Sequence, residues 1–418
     1  MYNVGIIGLG QIAYSIDNDP ARKITWSHIN AYKKSKDTQV ISICDIDETQ
    51  VKKISQECDI YSGYTDYREM LKNEDLDIVS ICTPINTHVQ IIKDCIKHNV
   101  KAIFCEKTIS YSLDDSSEIV ELCKKNNVVL AVNHVRRWDD FNHKIKNIIT
   151  QDNYGDIYTI DCYGGTALHT STSHLIDLMC FFSDSEPEWS IGCKQQDYVR
   201  NVHGVHDYGG TGFIKFKNGI IGIVKSNSSS EFNICFEIDI ACKNGRVIIT
   251  DAGDTCEFYK FTHSNSSSGS HYKTLSLVHK IYKNQTERMI NAVNNIVMAL
   301  KKDQQVKSTG QTSLASIKII SGILSEEKHY SNLISSMYRE TWRIPVNQGK
   351  LVPPEQASEY NLSSLRPLFF IIGELFFMQI ITRNRGRGNQ FRTPIIITNC
   401  HQTNYFSIFF KCPCSQLI

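Results

Sequence analysis

The residues with chemical potential begin almost at the amino terminus, where "VGIIGLGQIA" sets Gly8, Gly10 and Ala13 behind an apolar run. A diphosphate needs bare backbone at a helix start, where unpaired amides and the helix dipole both favour an anion. In that arrangement Gly8 allows the tight turn and Gly10 lets the pyrophosphate reach the amides. Small Ala13 lets helix pack on strand, with Gln11 and Ile12 lying between. A second apolar run, "VISICD", ends in Asp45. Its carboxylate suits the hydroxyls of an adenosine ribose and would repel a 2′-phosphate. No arginine follows it in "DIDETQ", so NAD is expected rather than NADP. Asp45 lies further from Gly10 than the about 20 residues usual for this fingerprint. The segment "DNDPARKITWS" accounts for the excess as an insertion after the first helical turn.

These residues need a scaffold. Over 1–135, short β-rich runs ("VISICD", "LDIVSICT", "KAIFCEK", "VVLAVNH") alternate with amphipathic ones such as "HVQIIKDCIKH" and "DDSSEIVELCKKN". Continuous apolar strands separated by helices imply a parallel sheet covered on both faces and doubly wound. Over 136–328 the texture changes. "GGTGFIKFKNGIIGIVKS" and "FNICFEIDIACKNGRVIITDAG" alternate with period two around Asn-Gly turns, the pattern of antiparallel hairpins. The expected architecture is therefore an α/β dinucleotide-binding domain over 1–135. An α+β domain with an open, mainly antiparallel sheet and C-terminal helices follows over 136–328. Residues 329–418 read as an atypical extension whose apolar run near 368–382, interrupted by Glu374, is short for a membrane span.

Bulk composition narrows the function classes. A net charge of +1 over 418 residues, with no basic cluster in the first 340, argues against a nucleic-acid partner. The cysteines of the first 260 residues sit singly inside apolar runs, as reduced core residues do, which points to the cytosol. Met1-Tyr2-Asn3 runs directly into the first strand, so no secretory leader and no membrane partner are expected. Cys400, His401, Cys412 and Cys414 match no standard zinc spacing, and "HGVH" (His203, His206) lacks a third ligand, so no metal is expected.

Three further stretches, "CTPINTH" (82–88), "CEKTIS" (105–110) and "VNHVRRW" (132–138), each close a strand-like run. Together with "GLGQIA" and "SHLIDL" they resemble the glucose–fructose oxidoreductase / inositol dehydrogenase / MocA family over residues 1 to about 325. The resemblance implies a Rossmann domain in which Thr83, Pro84, Asn86 and His88 line the dinucleotide. It puts Glu106 near the nicotinamide ribose and makes Lys107 the catalytic lysine, with Thr108 where the family has proline. Asn133, Arg136 and Arg137 correspond to a segment running toward the substrate domain. The resemblance also implies a homodimer or homotetramer formed through the outer face of the antiparallel sheet.

Hydride transfer from a secondary alcohol needs a base that titrates near neutrality and a cation that stabilises the developing alkoxide. His174 and Lys107 fit these roles, one from each domain. Asp177 lies one helical turn beyond His174. Thr170 stands where the family commonly has an aspartate, so it can bind a substrate hydroxyl but cannot charge-activate the histidine; His169 is a substitute base. The expectation is an NAD-dependent oxidoreductase acting on a sugar, a sugar derivative or a polyol. Asn133, Arg136, Arg137, Thr170 and His174 would face the substrate, and the arginines suit a sugar acid or nucleotide sugar. The alternatives are a catalytically impaired NAD-binding regulatory or scaffold protein, and an enzyme that turns a tightly held NAD over internally.

Overall fold

The computed structural model describes residues 1–202, 204–227, 235–263 and 272–325. The expectations for 329–418, for Cys400, His401, Cys412 and Cys414, and for His203 lie outside these residues.

The first half is a six-stranded sheet with the order β3-β2-β1-β4-β5-β6. Its strands are β1 (Tyr2–Ile7), β2 (Thr38–Cys44), β3 (Ser62–Tyr64), β4 (Ile78–Ile81), β5 (Ala102–Cys105) and β6 (Val129–Val132). Every pairing in it is parallel, which makes it the doubly wound dinucleotide-binding sheet. The connecting helices are α1 (His28–Lys34), α2 (Glu48–Cys58), α3 (Tyr67–Asn73), α4 (Ile85–Lys97) and α5 (Leu113–Lys125). Strand alternation divides the apolar side chains between two cores. Ile6, Ile78 and Phe104 pack with Ile29 and Tyr32 of α1, whereas Ile7, Val79 and Ile103 pack with Ile91 and Ile92 of α4 and Ile119 of α5. Because both faces are covered, the inner strands β4, β5 and the neighbouring β6 are apolar apart from Ser80.

A short 3-10 turn over Val135–Trp138 and helix α6 (Asp140–Gln151) lead into the second sheet. Between its first strand, β7 (Ile157–Gly164), and β8 (Pro187–Val202) lies α7 (Thr172–Ser183). The remaining strands are β9 (Val205–Phe216), β10 (Ile221–Ser226), β11 (Phe236–Cys242), β12 (Gly245–Thr250), β13 (Thr255–His263) and β14 (Lys273–Tyr282). The eight strands have the order β14-β13-β12-β11-β7-β10-β9-β8 and are antiparallel throughout except for β7 with β10. One face is closed by α6, α7 and the last helix, α9 (Gly310–Leu324). The penultimate helix, α8 (Arg288–Leu300), returns to the parallel sheet: Met289, Ala292, Val293 and Ile296 bury beside α1. Burial of each such large side chain is worth about 1.5–3 kcal/mol. Helix α9 spans the seam, with Ile317 in a core of the first sheet and Ile319, Ile320 and Ile323 in that of the second.

Candidate active site

The site forms at the carboxyl ends of the parallel strands. Gly8 follows β1 with φ +88°, and a Cβ there would lie 2.8 Å from the Cys82 and Thr83 backbone, so only glycine fits. At Gly10 the opposite holds: a Cβ would meet nothing within 4 Å, leaving an open approach to the chain. The amides of Gly10, Gln11 and Ile12 have no hydrogen-bond partner among the described residues. Three consecutive free amides beside an open glycine fit a pyrophosphate. Asp45 sits at the same loop, its carboxylate accepting from the Leu9 amide at 2.6 Å and the Asp47 amide at 2.9 Å.

The helix that should follow is interrupted. Its first turn closes from Ala13 to Gly10, and the chain then leaves, returning when the His28 and Ile29 amides donate to the Ile12 and Ala13 carbonyls at 3.1 and 3.0 Å. In helical phase, His28 thus stands where residue 16 would in an unbroken helix, a surplus of twelve residues. With that surplus set aside, Asp45 falls about 23 residues after Gly10, close to the usual fingerprint spacing. Asp17 holds the excursion shut: its carboxylate accepts from the Trp26 amide, the Ser27 amide and hydroxyl, and Asn30 Nδ2. Burial works against this carboxylate, but those bonds outweigh it and keep its pKa below the ordinary value.

Next along the sheet edge lies the segment after β4. Pro84 caps α4, Thr83 Oγ1 accepts from Thr87, and Asn86 is exposed. His88 is fully buried and spans the Thr83 and Thr108 carbonyls at 2.8 and 3.0 Å, so it braces two strand ends against each other. The Lys107–Thr108 peptide is cis. After β5, Glu106 Oε1 is met by Asn133 Nδ2 at 2.6 Å and by His28 Nε2 at 3.0 Å, and His28 Nδ1 meets Ser80 Oγ at 3.0 Å. Burial opposes the Glu106 charge, yet His28, Asn133 and Lys107 hold its pKa below the usual carboxylate value. Sequence reasoning missed His28, because the excursion hides that it occupies the dinucleotide helix.

Lys107 carries the site across to the second sheet. Its Nζ donates to the Thr170 carbonyl at 2.9 Å and the His169 carbonyl at 3.4 Å, in the loop that leads into α7 and His174. Burial lowers the Lys107 pKa, opposed by Glu106 and Asp207. Thr170 thus meets the lysine through its carbonyl, while its hydroxyl donates to the Ala167 carbonyl. His169 is buried beside Thr108 and Tyr111, and burial pushes its pKa to about 4. The His174 ring lies edge-on to His134 at 5.6 Å between centroids, and its Nδ1 has no hydrogen-bond partner among the described residues. Burial drives the His174 pKa far down, and the charges of Arg136, Lys107, His134 and Arg288 act the same way, Arg136 most strongly.

Two residues expected at the cleft are engaged elsewhere. Arg137 Nε donates to both Asp177 oxygens, at 2.9 and 2.8 Å, and both side chains are buried. A buried guanidinium demands a carboxylate, and Asp177 supplies it, which directs the acid to Arg137 and not to His174. Arg136 takes the other direction: its guanidinium lies 3.8 Å over the Phe236 ring, without hydrogen bond or ion pair among the described residues. Its pKa is pushed down to about 9 by burial and by Arg288.

A dinucleotide cradle on a doubly wound sheet, with a lysine and a histidine beside an open antiparallel sheet, is the arrangement of a nucleotide-dependent oxidoreductase. Residues 2–134 match the family described as "Oxidoreductase family, NAD-binding Rossmann fold". An uncharacterized oxidoreductase, YrbE, from Bacillus subtilis is 33% identical over 210 residues, which is 49% of this chain and 51% of that protein. Myo-inositol 2-dehydrogenase from Thermotoga maritima is 23% identical over 286 residues, 64% of this chain and 80% of that one. Among solved structures, the WlbA dehydrogenase from Bordetella pertussis, in complex with NADH and UDP-GlcNAcA, superposes with a TM-score of 0.60 at 16% identity. That superposition covers 77% of this chain and 95% of WlbA, and shows the shared fold. Residues 2–134 thus form an NAD-binding Rossmann domain of the Gfo/Idh/MocA oxidoreductase family.

Proposed function

We propose that this protein transfers hydride between NAD and a hydroxyl-bearing carbon of a sugar, sugar derivative or polyol. One observation carries the reading: Lys107, from the dinucleotide-binding sheet, reaches the loop that leads into His174, so the two groups the chemistry needs converge from different sheets. NAD supplies the hydride acceptor. Glu106, held by His28 and Asn133, offers its second oxygen to a ribose hydroxyl. The Lys107 ammonium donates to the substrate oxygen and stabilises its developing charge. His174 takes the hydroxyl proton. Its lowered pKa keeps the ring uncharged and able to accept, and makes it a weaker base in the free protein than the near-neutral one expected from the sequence.

Arg136 supports an anionic substrate. It is a desolvated guanidinium without an ion-pair partner among the described residues, beside the candidate base, and suits a sugar acid or nucleotide sugar. The experiment is a panel of polyols, aldoses, their uronic and aldonic acids, and nucleotide sugars, each incubated with NAD while reduced nicotinamide absorbance is followed. Turnover of at least one hydroxylated substrate is expected. Tight NAD binding with no turnover anywhere on the panel would favour the non-catalytic reading, which Thr170 in place of an acid supports.

A further inference from the structure

The strand β9 carries a carboxylate that nothing above employs. Asp207 is 1% exposed, its Oδ1 accepts from the His169 amide at 3.0 Å, and its Oδ2 has no hydrogen-bond partner among the described residues. One residue on, the Tyr208 carbonyl accepts from the Leu168 amide at 2.9 Å, so β9 is zipped onto the loop whose next two carbonyls hold Lys107 Nζ. We propose that Asp207 is the acid that positions Lys107, a carboxylate brought to the site from β9. It acts in two ways. Through His169 it fixes the loop whose carbonyls receive the ammonium, and through its charge it keeps that ammonium protonated.

The surroundings show why a charge is wanted there. Lys107 faces Glu106 and Asp207 on the acidic side and Arg136 and Arg200 on the basic side, and its own charge acts on His134, His169 and His174. Asp207 faces Lys107, Arg200, Tyr111 and the His169 and Thr170 backbone. Of the two acids acting on Lys107, Glu106 would remain without Asp207, and Glu106 is already shared between His28 and Asn133.

Asp207→Asn removes the charge while retaining an oxygen for the His169 amide. The reading rests on Lys107 serving the reaction, but its test need not. The full chain is labelled with [ε-¹³C]lysine, and Lys107 is identified by the resonance lost in Lys107→Arg. In the unmutated protein that resonance is expected to report an ammonium at pH 7. In Asp207→Asn its midpoint moves down by about one pH unit, a tenfold change in proton affinity, with the urea unfolding midpoint unchanged. With an active substrate, the alkaline limb of kcat moves to lower pH by the same amount. An unshifted Lys107 midpoint in folded Asp207→Asn overturns the proposal. Should that variant not fold, the unmutated protein decides, because a neutral Lys107 at pH 7 overturns it equally. Absence of turnover on every substrate would instead tell against the proposed reaction, leaving the resonance arm intact.

Discussion

At the scale of single residues, the site separates groups that act from groups that hold. Lys107→Met and His174→Ala are each expected to abolish turnover while leaving the NAD dissociation constant within about twofold, read by nicotinamide absorbance and by calorimetry. Gly10 and Gly8 make a contrasting pair. A Cβ at Gly10 meets no protein atom, so Gly10→Val should leave the unfolding midpoint near the unmutated value and weaken NAD binding at least tenfold. At Gly8 a Cβ meets backbone and φ is positive, so Gly8→Ala should lose about 1–2 kcal/mol of stability before any ligand is added. Asp177→Ala should be costlier still, about 3–5 kcal/mol by urea denaturation, since it strands the buried Arg137. That pairing was illegible in sequence because it joins residues 40 positions apart; spacing along α7 alone sets Asp177 beside His174. Asp207 was equally hidden, since an acid within an alternating strand declares its face only through its register with neighbouring strands.

At the scale of elements, the reading of strands and helices was sounder because their signals are local. Alternating runs around Asn218-Gly219 and Asn244-Gly245 became β9–β10 and β11–β12, and unbroken apolar runs became parallel strands. The exception is the dinucleotide helix, where the excursion over 14–27 holds one short 3-10 turn, Ser15–Asn18, and only the resumed hydrogen bonds show where the helix continues. Asp17 is its clasp, and the clasp depends on pH. A carboxyl whose folded pKa is lowered stabilises the folded state above its unfolded value, near 4, and that contribution disappears as pH falls through the folded value. Stability measured from pH 6 down to pH 2 should therefore fall more steeply in the unmutated protein than in Asp17→Asn. Parallel curves would show that the clasp carries no linkage.

At the scale of the whole molecule, no helix among the described residues is long and apolar enough to cross a membrane. The cradle residues Gly8, Gly10, Asp45 and Glu106 all lie at strand ends of the first sheet, so a chain ending after Lys328 should keep its NAD affinity by calorimetry. Loss of binding would show that the later residues support the cradle. One element decides how the remainder comes apart. Helix α9 plants Ile317 among the parallel strands' side chains and Ile320 and Ile323 among those of the second sheet. Neither half can melt without stripping a wall from the other, so a scanning calorimeter should record one endotherm rather than two. Ile320→Ala, made on one side of the seam alone, should pull the whole peak to lower temperature.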